Sequence, residues 1–262
     1  MALASLPERG FGFSWALPHG SELITKTVAP TFMFVDYETF VNTNIRHRLN
    51  KRMLDAYVSI NAPLWLLASV YGWDSVQDIF RNAGEAAGAL DRACDHVIRC
   101  MEGARDAGAD AIILCDDLCG AHGPVLDPRF VVEYLMPLYL RFAKVADSLG
   151  IQLIFHSDGD IREYYPRLAA DGFAGVHVAH PAYEQTAELF AAAREHGLLP
   201  LGGLVTARVG SDGPAELAAF AARLAKEGPA LICDDGAVSS REEFESILEA
   251  MQLCRASVEG GS

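Results

Sequence analysis

The chain has 262 residues, with 21 Lys and Arg against 35 Asp and Glu, a formal net charge of -14 with histidine neutral. Hydrophobic residues make up 51% and mean hydropathy is +0.15, so the chain has apolar material for a substantial core and is not disordered. The sequence pI of about 4.9, with no Lys/Arg cluster, excludes a protein that tracks nucleic-acid phosphates.

This length suits one large domain over 1–262, and an α/β barrel typically uses about 250 residues. The first thirty residues are the least regular. Thr31–Val35 and part of Tyr57–Val70 read as strands, and the apolar run from Ala62 to Val70 contains Pro63 and Ser69. That run is well short of the roughly 18 residues a membrane helix needs. No basic segment followed by an apolar one opens the chain, so a secretory leader is not expected. The six cysteines (94, 100, 115, 119, 233 and 254) form no CxxC pair. A reduced, cytoplasmic protein with no membrane partner is the expectation.

From about residue 74 onward, short apolar runs alternate with long amphipathic ones. A helix ending near Gly108 precedes the strand Ala111–Cys115. Asp127 and Pro128 then supply an N-cap and a first-turn proline. Val131, Leu135, Leu138, Phe142, Val145 and Leu149 recur at helical spacing until Gly150 stops them. Ile151–Phe155 is the next strand, followed by a short helix over about 161–171. Gly175–Ala179 precedes a helix over 184–196, and Leu199–Gly203 precedes one over about 213–227. Ala230–Asp234 precedes the last, over about 241–256. Strands apolar on both faces, each followed by a helix, predict a parallel sheet covered by helices.

No GxGxxG or Walker motif supports an open nucleotide-binding sheet. Polar residues instead follow nearly every strand: Asp116 and Asp117, His156 and Asp158, His180, Thr206 with Arg208, and Asp234 with Asp235. In a closed barrel these ends converge on one mouth, so the fold expected is a (β/α)8 TIM barrel, irregular or shortened on its N-terminal side. His156 and Asp158 are two apart at a strand end and therefore point the same way, able to share a metal ion or a substrate group. Only one of Asp116 and Asp117 can face the axis. One of Asp234 and Asp235 is expected to serve the turn and the other to act as a ligand. Asp127 is expected to cap its helix, and the face of His177 is left open by the alternation.

These segments resemble a known family. Asp116-Asp117-Leu-x-Gly-x-x-Gly-Pro-x-x-x-Pro128, the long helix, and His156-Ser-Asp158-Gly159-Asp160 are similar to the uroporphyrinogen decarboxylase superfamily. So are Leu201-Gly-Gly-Leu204 and the Asp-Gly near 234–236. The resemblance covers roughly 72–256 and implies a (β/α)8 barrel with its site at the strand C-termini. The superfamily holds the haem-pathway decarboxylase and corrinoid-dependent methyltransferases. The decarboxylase's Arg-rich segment has no counterpart here, because Arg46, His47, Arg48, Lys51 and Arg52 stand in an unrelated context; this argues against uroporphyrinogen itself as substrate. The methyltransferases hold zinc through a His-x-Cys pair and a later cysteine. Placed on this chain, those positions are His156, Asp158 and Asp235, so both thiolates become carboxylates, with Asp160 and Asp234 as reserves. A His with two carboxylates suits zinc, and also manganese or iron(II).

Three functions follow as expectations. The first is a metal-dependent methyltransferase or demethylase, with zinc the leading metal and methylcobalamin or a corrinoid protein as co-substrate or partner. The second is a metal-assisted decarboxylase, lyase or hydrolase whose Arg208 or Arg129 holds a substrate carboxylate. The third is a barrel that only docks a partner. Asp116, Asp117 and His180 are the expected catalytic residues. A small-molecule substrate and a homodimer complete the partner expectations.

Overall fold

The computed structural model describes residues 9–11, 57–107, 109–120, 122–236 and 240–259. The expected strand Thr31–Val35 and the irregular N-terminal stretch lie outside them, as do Arg46 to Arg52. Seven strands form one parallel sheet: β1 (Arg9–Phe11), β2 (Tyr57–Asn61), β3 (Ala111–Cys115), β6 (Gln152–Asp158), β7 (Gly175–Ala179), β8 (Leu199–Leu204) and β9 (Ala230–Asp234). Their order is β1-β9-β8-β7-β6-β3-β2, and every pairing is parallel. Two residue pairs, β4 (Cys119–Gly120) and β5 (Gly123–Pro124), make a small antiparallel hairpin in the loop after β3.

Helices follow the strands as the apolar spacing predicts. After β2 come α1 (Pro63–Tyr71), α2 (Trp73–Arg81) and the long α3 (Ala83–Ala107). The Ala62–Val70 run is therefore mostly helix, and Pro63 takes the first-turn position where its missing N–H costs nothing. Helix α4 begins at Pro128–Phe130, passes through a π turn at Val131–Leu135 and continues as Met136–Leu149. Asp127 caps it by accepting from the Arg129 N–H at 2.9 Å, and Gly150 ends it at φ 70. Then come α5 (Tyr165–Asp171), α6 (Tyr183–Glu195), α7 (Val209–Glu227), which is broken at Gly213, and α8 (Arg241–Glu259).

Among the described residues, two separate hydrophobic clusters show that the sheet curves around an interior of its own. The larger one joins the helices to one face of the strands: Ile112 and Leu114 of β3, Leu153 and Phe155 of β6, Val176 and Val178 of β7, and Ile232 of β9. The alternate residues Ala111, Ile113 and Cys115, with Ile154, Leu199, Leu201, Leu231 and Cys233, form a second cluster that contains no helical residue. A doubly wound sheet would cover that face with helices. Here the strands cover it themselves, which requires curvature into a barrel. The fold is (β/α)8, and the strand C-termini share one rim. None of the described helices is long and apolar enough to cross a membrane.

Candidate active site

Strand β6 runs three residues beyond the expected Phe155, so His156 and Asp158 keep strict alternation with Ile154 and face the barrel interior. His156 Nδ1 lies 3.3 Å from the carbonyl oxygen of His177. A carbonyl only accepts, so this contact places the proton on Nδ1 and leaves the Nε2 lone pair open. Nε2 stands 3.8 Å from Asp117 Oδ1 and 3.8 Å from Asp158 Oδ1. The three ligating atoms all lie within 4.8 Å of one another. Neither carboxylate has a Lys or Arg ion-pair partner among the described residues. Burial pushes the Asp117 and Asp158 carboxyls up, and for Asp158 the Asp117 charge adds to the effect. Burial likewise lowers the His156 imidazole. The Asp158 side chain is 57% exposed against 11% for His156, so the cluster opens to solvent on that side.

Asp117 reaches this cluster because its loop is tied to the end of β6. Ser157, whose side chain faces away from the interior, accepts from Leu118 N at 3.0 Å and Cys119 N at 3.3 Å. The Cys119 thiol donates to the Asp160 carbonyl at 3.2 Å. Gly159 lets the two loops touch: a Cβ there would sit 2.5 Å from Gly120 O, and its φ of +71 is itself left-handed. This clasp links residues about forty apart in the chain.

Asp116 points the other way and is wholly buried. Its carboxylate accepts from Leu64 N at 3.2 Å, Trp65 N at 2.7 Å and the Tyr139 hydroxyl at 2.6 Å. It therefore satisfies first-turn N–H groups of α1 and braces α4, and of the two acids expected to be catalytic only Asp117 reaches the cluster with His156. Burial pushes its carboxyl up to about 7 against those three hydrogen bonds. Asp234 is also buried, its side chain accepting from Gly236 N at 3.1 Å, so it serves the turn.

Asp235 flanks the cluster without entering the close group of ligating atoms. Both the amide and the hydroxyl of Thr206 donate to its Oδ1. Burial, with the nearby Asp158 charge, pushes it up to about 7. His180 accepts from Ala182 N at 3.1 Å through Nδ1 and sits in the turn after β7, near Asp160 and outside the cluster. Asp160 is held by Arg162, whose NH2 is 2.6 Å from Oδ2, so it is no spare ligand.

The two arginines expected to hold a substrate carboxylate are each engaged by an acid. Arg208 grips Asp212 with bonds of 2.8 and 3.0 Å and lies over the Tyr183 ring. Arg129 pairs with Asp127 at 2.7 Å and is 84% exposed. Both pairs form because the acid lies two or four residues away, nearer than any ligand. The face of His177, left open by the sequence, is inward; the residue is buried and pushed down to about 3 by burial and by His156. The signal was its alternation with Val176 and Val178, once those two are known to face the helices.

The pattern of the uroporphyrinogen decarboxylase family matches residues 43–224. The chain belongs to that family. Among solved structures it is similar to a methyltransferase from Methanosarcina mazei, at 17% identity and TM-score 0.67, over 86% of this chain and 63% of that one. This family member thus spans less than two thirds of that methyltransferase. It is also similar to a D-tagatose 3-epimerase-like protein, at 9% identity and TM-score 0.60, over 97% of this chain and 100% of that one. A D-psicose 3-epimerase, at 12% identity and TM-score 0.53, covers 97% of each chain. At such identities the three likenesses concern the barrel alone. No curated protein matches the sequence.

Proposed function

We propose that this member of the uroporphyrinogen decarboxylase family is a metal-dependent methyltransferase that exchanges a methyl group with a corrinoid. The carrying observation is His156 Nε2, stripped of its proton by the Nδ1 contact and facing two carboxylate oxygens at 3.8 Å. That donor set fits a divalent cation, because a neutral imidazole fixed through its other nitrogen is the usual form of a ligating histidine. Asp117, His156 and Asp158 would hold the metal, with zinc, manganese and iron(II) all compatible with one nitrogen and two oxygens. When bound, such a metal polarises and acidifies the group that gains or loses the methyl.

The protein's own residues supply the rest. The exposed side of Asp158 leaves room for a small-molecule substrate. Asp235, clasped by Thr206 through one oxygen and lifted to about 7, can take the acceptor's proton on its other oxygen. A corrinoid protein is the proposed partner, the cytoplasm the proposed location, and a homodimer the proposed assembly. Arg129 and Arg208 each pair with an acid of their own, so a decarboxylase, lyase or hydrolase that used either to hold a carboxylate would have to exchange that partner for substrate.

The test is elemental analysis of untagged protein, followed by methylcobalamin turnover with a small thiol supplied as methyl acceptor, in which the thioether and cob(I)alamin form as the thiol proton is released, monitored by corrin absorbance. Stoichiometric metal and demethylation of methylcobalamin, both lost in His156→Ala, are expected. Decarboxylation without corrinoid would replace this reading with the second. Absence of metal together with a mouth insensitive to mutation would leave only a docking barrel.

A further inference from the structure

His177 is a buried polar side chain in the barrel interior to which the proposed chemistry assigns no task. It is the register partner of His156 on the adjoining strand, and the two rings lie 4.8 Å apart with 36° between their planes. Its Nε2 is 3.0 Å from the carbonyl oxygen of Asp234 on β9. That bond passes over β8, which lies between β7 and β9 in the sheet.

The sequence of β8 permits the crossing. Leu201 faces inward, but the residues after it do not fill the interior. A Cβ on Gly202, at φ +121, would sit 2.6 Å from Val178 O. One on Gly203, at φ +92, would point to Leu224, Ile232 and Phe190 of the outer layer. Leu204 belongs to that outer layer too. Above Leu201, β8 therefore sends no side chain inward, and the His177 imidazole spans the gap.

We infer that His177 is a positioning residue: pinned to the Asp234 carbonyl, its ring backs the His156 imidazole and holds it against its own carbonyl, keeping His156 in the Nδ1–H form with Nε2 aimed at Asp117 and Asp158. The inference rests on reading those three residues as the metal centre. The geometry has two ends, an anchor on β9 and a ring contact on β6, and removal of the anchor releases both.

The test uses full-length protein and two readouts. Imidazole nitrogen NMR of the metal-free wild type should show His177 protonated on Nε2 and His156 held as a single Nδ1–H tautomer. His177→Leu should mix the His156 tautomers and weaken Co2+ binding, read from its visible absorption, by roughly 10–100-fold. His177→Gln, which can still donate to the Asp234 carbonyl, should restore one tautomer and bring Co2+ affinity to within about threefold of wild type, on the same basis. A single His156 tautomer in His177→Leu would overturn the inference, even if the wild type binds Co2+. Should His177→Leu fail to fold, wild-type His177 protonated on Nδ1 would overturn it, because no anchor would then exist. If the wild type binds no Co2+, the metal reading fails and the tautomer readout alone decides the role of His177.

Discussion

Asp116→Ala should destabilise this barrel severely, whereas Asp117→Ala should not. Deleting the Asp116 carboxylate leaves Leu64 N, Trp65 N and the Tyr139 hydroxyl without their acceptor in a site with no exposure. Each orphaned buried donor costs about 1–3 kcal/mol, and partial relaxation at the start of α1 brings the sum to about 4 kcal/mol. For a chain of this size, about 2–4 °C per kcal/mol lowers the melting temperature by about 8–16 °C. Asp117 is partly exposed and accepts only a 3.5 Å contact from Asp158 N, so its loss should cost under about 1 kcal/mol. Thermal melts by circular dichroism in excess chelator remove any metal contribution from both variants. Co2+ titration should then show binding lost in Asp117→Ala, with Asp116→Ala still binding below its melting point. An Asp116→Ala protein melting within 2 °C of wild type would refute the assignment of Asp116 as the acceptor for α1 and Tyr139, since no set of three orphaned donors could be that inexpensive.

Ser157→Ala should weaken metal binding by roughly tenfold or more while lowering stability by only about 1–2 kcal/mol, because Leu118 N and Cys119 N lose the acceptor that places Asp117; isothermal titration checks this. Gly159→Ala should do the same with a larger loss of stability, as its Cβ meets Gly120 O and its φ is left-handed. The Asp235 carboxyl, raised from its usual 3.8 to about 7, makes the folded metal-free protein hold a proton that the unfolded chain has released. Its contribution therefore lowers stability as pH rises from about 4 to about 7 and levels off above, so Asp235→Asn should make denaturation midpoints fall less steeply across that window, the remaining slope coming from Asp116, raised likewise to about 7. Metal at about 100 times its dissociation constant should raise unfolding free energy by about 2.7 kcal/mol, and a chelator should reverse the shift in melting temperature; an unchanged melt would count against a native-state site.

Strand and helix periodicity is local information, and it was legible. The alternation over Ala111–Cys115, Gly175–Ala179 and Ala230–Asp234, and the helical spacing from Val131 to Leu149, follow from side-chain period alone. The shared direction of His156 and Asp158 follows from the same period, whereas which of Asp234 and Asp235 serves the turn was left open by the sequence and decided by the bond from Gly236 N to Asp234. Adjacent acids are harder. Asp116 and Asp117 carry identical side chains, and only the arrival of α1 from 51 residues upstream in the one case, and of Ser157 from β6 in the other, decides which is buried and which meets His156. The charge state of Arg208 was certain from sequence, but its partner was not, since a guanidinium takes the nearest well-placed carboxylate and the turn of α7 put Asp212 there. Chain-local chemistry thus determined the barrel and the rim on which its polar residues gather. Tertiary structure decided which of them converge, because hydrogen-bond partners distant in sequence set where each charge can be satisfied.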